Sequence, residues 1–188
     1  MATILKFLRR PVVLAVVGLL VVAAAVGAYW FQPWKAFTDT TVDEPLPTVA
    51  AAPSAEPTTG APTVVGEGTF VGHEHATTGV AKLLRLPDGS HVVRVENLDT
   101  SDGPDLIVLL ADAPVVDGPD GGKAFTAGRY VNLGKLKGNR GSANYPVPAD
   151  VDVTGLTSVG IWCDRFDVSF GAAPLAGPGS AADRSAGQ

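Results

Sequence analysis

Nineteen consecutive residues, Val12 to Trp30, carry no charge. The run "VVLAVVGLLVVAAAVGAYW" is apolar all round, so it has no polar face to turn outward. About 20 such residues are needed for a helix to cross a ~30 Å hydrocarbon core. The run therefore predicts a transmembrane helix over residues 12–31. After it the pattern dissolves. "TDTTVDEPLPTVAAAPSAEPTTGAPTVV" (Thr38 to Val65) is rich in Pro, Ala and Thr and has no apolar period. Such a segment buries too little surface to offset its ordering entropy, which predicts an extended linker over residues 32–65. At ~3.1 Å per residue in the polyproline form, the segment from Thr38 would reach on the order of 80 Å. The tail, residues 176–188, has the same character and is expected to be disordered.

Between linker and tail, over residues 66–175, short apolar runs alternate with Gly, Pro and Asp clusters. "GVAKLLRLPDGSHVVRVENL" reads as a hairpin. With Asp88-Gly89 as a two-residue loop, Leu84 faces Val93 and Leu86 faces His91, so Leu84, Leu86, Val93 and Val95 share one face. "PDLIVLLA" is an apolar run of strand length, and further runs follow at Tyr130–Leu133, Ala143–Val147, Val159–Cys163 and Phe166–Phe170. "DGPDGG" (Asp117 to Gly122) reads as a loop, and no helical stripe of three turns occurs. The expected fold is all-β, a single antiparallel β-sandwich or barrel-like domain. Leu84, Val93, Leu106, Val108, Leu110, Ile161 and Phe170 are its core candidates.

Charge adds orientation. Lys6, Arg9 and Arg10 precede the apolar run, whereas all 19 acidic residues follow it, and the net charge is −5. Basic residues stay on the cytoplasmic side, so residues 1–11 are expected inside and the body outside, in a single-pass arrangement. A cleaved signal peptide is the rival, with small residues at Ala24–Ala28. Tyr29, Trp30, Phe31 and Trp34 form an aromatic belt that favours a retained anchor. An acidic body is a poor surface for nucleic acid, and none is expected as a partner.

Candidate chemistry centres on Cys163, the only cysteine. On a strand, Val159, Ile161 and Cys163 point one way, and Gly160, Trp162 and Asp164 the other. If Asp164-Arg165 is a tight turn, Cys163 faces Phe166. One reading is a small buried hydrophobe. The other is a functional thiol near the surface, since Cys163 closes its strand beside a charged step. A lone thiol makes only intermolecular disulfides, so a redox cycle needs a partner, a second copy or a bound cofactor. His73 and His75 ("GHEH") together with Cys163 are copper-type ligands. Met1 is the only methionine, however, and nothing brings the three together, so no metal site is expected. "DTSDGPD" (Asp99 to Asp105) is explained by turn formation. No G-x-S-x-G, Walker loop, C-x-x-C or C-x-x-C-H occurs, and a stand-alone enzyme is not expected.

"GTF" (Gly68–Phe70), "GPDLIVLL" (Gly103–Leu110), "LGKLKGNRGSANYPVP" (Leu133–Pro148) and "SVGIWCDRFDVSFGAAPL" (Ser158–Leu175) together resemble the DM13 domain family. The resemblance covers the body and neither the anchor nor the linker. It implies an extracytoplasmic β domain with a role in electron transfer, in which Cys163 is a redox thiol or holds a prosthetic group such as haem. With a single thiol, such a role would call on a redox protein partner. The alternative is a non-catalytic binding or structural module of the cell envelope. Oligomeric state is left open.

Overall fold

A computed structural model describes residues 11–47, 60–125 and 127–177. Helix α1 (Pro11–Phe31) is long and apolar enough to span a membrane, and none of its residues is buried against the rest of the chain. A short 3-10 turn, Pro33–Phe37, follows. The ten strands form two sheets packed face to face. Sheet 1 has the order β1 (Thr41–Asp43), β8 (Arg140–Pro146), β5 (His91–Thr100), β4 (Thr77–Arg85), β2 (Thr63–Thr69). Sheet 2 has the order β3 (Val71–Gly72), β10 (Val168–Pro174), β9 (Ser158–Cys163), β6 (Leu106–Ala111), β7 (Tyr130–Lys135). All pairings are antiparallel except β1 with β8. The fold is a sandwich rather than a closed barrel.

Alternation builds the core. Ala81, Leu83, Val93, Val95 and Tyr145 from sheet 1 meet Val108, Leu110, Val159, Ile161, Cys163 and Phe170 from sheet 2. The other face of sheet 2 is covered by α2 (Pro119–Phe125), whose Phe125 packs with Ile107, Leu109 and Trp162. Strand β6 is thus buried on both faces. That is why its sequence is continuously apolar. All seven core candidates are buried.

Four details differ from the expected pattern. The β4–β5 connection has three loop residues, Pro87-Asp88-Gly89, closed by Gly89 N–H to Leu86 O (2.9 Å) and Leu86 N–H to Ser90 O (2.8 Å). Proline presets the first turn position. Gly89 takes a left-handed φ of 85°. Leu83, not Leu84, consequently faces Val93. A one-residue slip exchanges the faces, so Leu83 enters the core between the sheets. Next, Phe166 is not in a strand: residues 164–167 form a turn, and Cys163 pairs with Val168. Third, "PDGGKAF" is helical despite two glycines, because Phe125 is wholly buried on sheet 2 and that burial is favourable.

The fourth is the largest. Thr41–Asp43, inside the segment expected as a linker, is a strand paired in parallel with Arg140–Ser142. Strand β2 likewise begins at Thr63, before the expected boundary at residue 66. Residues 48–59 of the expected linker and 178–188 of the tail lie outside the described residues.

Candidate functional site at the helix-proximal end

Strands β4, β5, β6, β8, β9 and β10 all have one terminus at the end of the sandwich nearest α1. There the loop Ser101–Asp105 leads into β6, and the turn Asp164–Asp167 joins β9 to β10. Cys163 is the last residue of β9, paired with Leu106 on one side and Val168 on the other. Its side chain points into the core, as alternation requires, and its exposure is 0%. The expectation of a sulfur near the surface is therefore not met. The four-residue turn leaves Cys163 opposite Val168, behind Leu106, while the next residue, Asp164, is exposed. The Asp164 N–H donates to the Asp105 carbonyl (3.0 Å), tying the turn to the Gly103-Pro104-Asp105 loop.

A polar cleft of about 270 Å³ opens beside this loop, lined by Lys35, Asp102, Asp105, Leu106, Lys135 and Lys137 among others. Each lysine is matched by a carboxylate: Lys35 with Asp102 (3.0 Å), Lys135 with Asp105, and Lys137 with Glu44 (2.7 Å). The Glu44 carboxyl is held below its usual range, first by the Lys137 ammonium and also by the Asn144 N–H. Leu106 is the link between cleft and thiol, since it lines one and pairs with the other.

The two histidines part company. The His73 side chain lies on the α2 side of sheet 2, with Nδ1 2.7 Å from the Ser169 hydroxyl. It is 7% exposed, and its Nε2 is buried near the Val116 carbonyl without a well-formed hydrogen bond. His75 instead stacks on Phe170 at 3.8 Å, with Nδ1 2.8 Å from the Ser101 hydroxyl. Burial pushes both imidazoles below their ordinary pKa; acidic neighbours oppose this only in part, Asp117 and Glu74 for His73 and Glu74 for His75.

These positions bear on cofactors. Among the described residues, no three His, Cys, Asp or Glu side chains come together as metal ligands. The His73/His75/Cys163 copper constellation is not formed. Haem iron is normally held by His, Cys, Met or Tyr. Cys163 is sealed inside the apolar layer, and none of those four residue types lines the adjoining cleft. The residues around Cys163 do not fit a haem.

Other residues at this end carry contacts that the local sequence does not signal. Arg165 donates from Nη1 to the Trp30 carbonyl of α1 (2.7 Å), and its guanidinium lies over the Trp30 ring. Asn139, 1% exposed, accepts from the Thr40 N–H (2.7 Å) and donates to Asp39 and to the Thr100 carbonyl (2.8 Å each). Farther along β5, away from this end, buried Arg94 donates to the Pro45 carbonyl (3.0 Å) and to Asn144 (2.9 Å). Partners 39 to 135 positions apart leave no periodic trace.

Compared with known families, residues 69–175 match the family model described as "Electron transfer DM13". No curated protein and no solved structure matches the chain.

Proposed function

The chain belongs to the DM13 family, and on that premise we propose that it is a membrane-anchored, extracytoplasmic electron-transfer domain in which Cys163 is the reacting group. Helix α1 is the anchor. Arg9 and Arg10 precede it. Their charge keeps the N-terminus cytoplasmic and the sandwich outside. The observation that carries the thiol's role is its position. Cys163 ends β9 and the exposed turn 164–167 starts at the next residue, so local opening of that turn is the shortest route from the surface to the thiol.

The chemistry of a single thiol is exchange. The Cys163 thiolate attacks an acceptor protein's disulfide; a new S–S bond forms as the old one breaks, and the leaving sulfur takes a proton. A donor dithiol then attacks the Cys163 sulfur, releasing the acceptor as a dithiol. Its second thiol closes the donor disulfide and returns Cys163 as a thiol. Two electrons pass from donor to acceptor.

The complete burial of the sulfur favours a second reading, a non-catalytic binding or structural module of the envelope. Thiol labelling of the full-length protein in native membranes separates the two. The exchange reading expects Cys163 to react with a small maleimide faster than the sandwich unfolds globally. It also expects a mixed disulfide on non-reducing gels that Cys163→Ser removes. Labelling only on global unfolding, in a protein without a visible chromophore, leaves the structural module.

A further inference from the structure

The last four carbonyls of a helix have no partner within it. In α1 one of them is served from the sandwich: Arg165 Nη1 donates to the Trp30 carbonyl at 2.7 Å, with the Tyr29 carbonyl at 3.5 Å. A cation at a helix C-terminus also complements the helix dipole. Beside it, Phe166 stacks on Phe31, with centroids 5.6 Å apart and planes 18° apart. The chain leaving α1 is fixed just as quickly. Lys35 pairs with Asp102, the Thr40 N–H is held by Asn139, and β1 joins sheet 1 at Thr41. The sandwich thus touches the last turn of α1 at Arg165 and Phe166 and holds the segment that follows at Lys35, Thr40 and β1, so it is not suspended from a tether.

The dimensions give this joint a location. Helix α1 has 21 residues. At a rise of ~1.5 Å per residue its length is about 30 Å, which matches the hydrocarbon core. If α1 spans a bilayer, its last turn lies at the headgroup layer, and whatever touches that turn lies there too. Tyr29, Trp30, Phe31 and Trp34 are all at least half exposed, Phe37 is 89% exposed and Phe166 is 38% exposed. Amphipathic and aromatic rings settle at that depth.

We propose that the helix-proximal end of the sandwich is a membrane-contact surface, with the Asp164–Asp167 turn seated in the phospholipid headgroup layer and Arg165 capping α1 to hold it there. This rests on the reading of α1 as a membrane anchor. The lipid it fits is zwitterionic: Asp164 and Asp167 are exposed and Arg165 is engaged by α1, so the turn offers no free positive charge to an anionic surface. Cys163 then lies directly behind the headgroup layer, and a redox partner must approach in the plane of the membrane.

The test uses the full-length chain in phosphatidylcholine vesicles. A nitroxide is placed at Phe166→Cys or, for reference, at Ser90→Cys in the β4–β5 turn. The two ends are separated by the ten residues of β5. At the usual rise of a strand that is about 30 Å. Both labels are made with Cys163→Ser and again with Cys163→Ala, so that a disturbed core shows as a disagreement between the two backgrounds. Power saturation compares collision with oxygen, which partitions into lipid, and with a water-soluble nickel chelate. The position 166 label is expected to be several-fold less accessible to nickel and richer in oxygen contact than the position 90 label. Adding Arg165→Ala should raise nickel access at 166 and leave it unchanged at 90. Equal nickel access at both positions in a chain that resists carbonate extraction overturns the inference and spares the anchor. Low access to both reagents at 166 means protein rather than lipid covers the turn, and also overturns it. Release by carbonate overturns the anchor itself.

Discussion

At the end of the sandwich far from α1, the chain turns through Pro87-Asp88-Gly89 on bonds that are all local. Asp88 accepts from the Ser90 N–H (2.9 Å) and from the Ser90 hydroxyl (2.6 Å), and Leu86 and Ser90 close the loop. At the helix-proximal end, Asn139 holds residues 39, 40 and 100, Asp102 holds residue 35, and Arg165 holds residue 30. The first closure needs five consecutive residues. The second needs most of the domain already assembled, and it fastens the domain to the segment that leaves the helix. The contrast shows that the residues preceding the family match, Asp39 to Pro45, are structural members of this domain. The Leu-Lys-Gly-Asn-Arg-Gly stretch bears the mark of this. A Cβ on Gly138 would lie 2.5 Å from the Thr40 carbonyl, and Gly141, at a φ of 95°, leaves no room for one beside the Val42 carbonyl.

The contrast breaks most visibly at Asn139. Asn139→Ala removes three well-made hydrogen bonds at a buried site and leaves the Thr40 N–H and Thr100 carbonyl without their partner. Unsatisfied buried groups cost about 1–3 kcal/mol each, so a loss of about 2–3 kcal/mol in unfolding free energy is expected. Deleting residues 39–45 should cost more, because Arg94 and Asn144 lose partners as well. Denaturant unfolding of the chain with and without the deletion of residues 39–45 measures this. Equal midpoints would show that β1 is an ornament.

A pH titration sharpens the comparison with a smaller effect. His73 and His75 are both at the helix-proximal end, and burial lowers both pKa values. The unfolded chain therefore binds protons that the folded one resists, and stability falls as pH drops below about 6.5. Glu44 adds a second acid loss. Its pKa is depressed chiefly by Lys137. Its contribution is therefore present above about 4.5 and fades as pH falls through the folded value. Lying at the surface, that contribution is screened by salt. Unfolding midpoints between about pH 7.5 and 5.5 should decline, and His73→Gln should flatten the decline. A flat profile in the parent protein would mean that His73 is free to protonate where it sits.

How much of each end is legible follows from the range of its bonds. "LPDGS" announces a turn by composition, and only the loop length departs from expectation, because proline and glycine here make a three-residue loop rather than a two-residue one. Alternation correctly puts Val159, Ile161 and Cys163 on one face. It does not give the exposure of Cys163, which depends on how far the next turn extends and on what Leu106 brings from another strand. Phe166 continues the alternation of Val168 and Phe170, yet it leaves the sheet because its partner, Phe31, belongs to the helix. "TTVDEP" contains three residues of strand inside a Pro/Thr-rich stretch. No period can be read from three residues, and the groups that order them lie about 100 positions away. The same holds for the site: Cys163 stands out by its uniqueness, whereas Arg165 and Asn139 act through distant partners.

The smallest effect belongs to the far end and completes the contrast. Asp88 is fully exposed, and its carboxyl is held below the usual range by the Ser90 hydroxyl and the Ser90 N–H. Water can replace both bonds when the side chain is removed, and the Pro87-Gly89 frame still sets the turn. Asp88→Ala should therefore move the unfolding midpoint far less than Asn139→Ala, although each side chain makes bonds of similar length. It should also leave the nickel accessibility of a label at position 166 unchanged, since nothing couples the β4–β5 turn to α1. A midpoint loss as large as that of Asn139→Ala would show that hydrogen-bond count, rather than burial and the distance of the partners, governs how the two ends hold the sandwich closed.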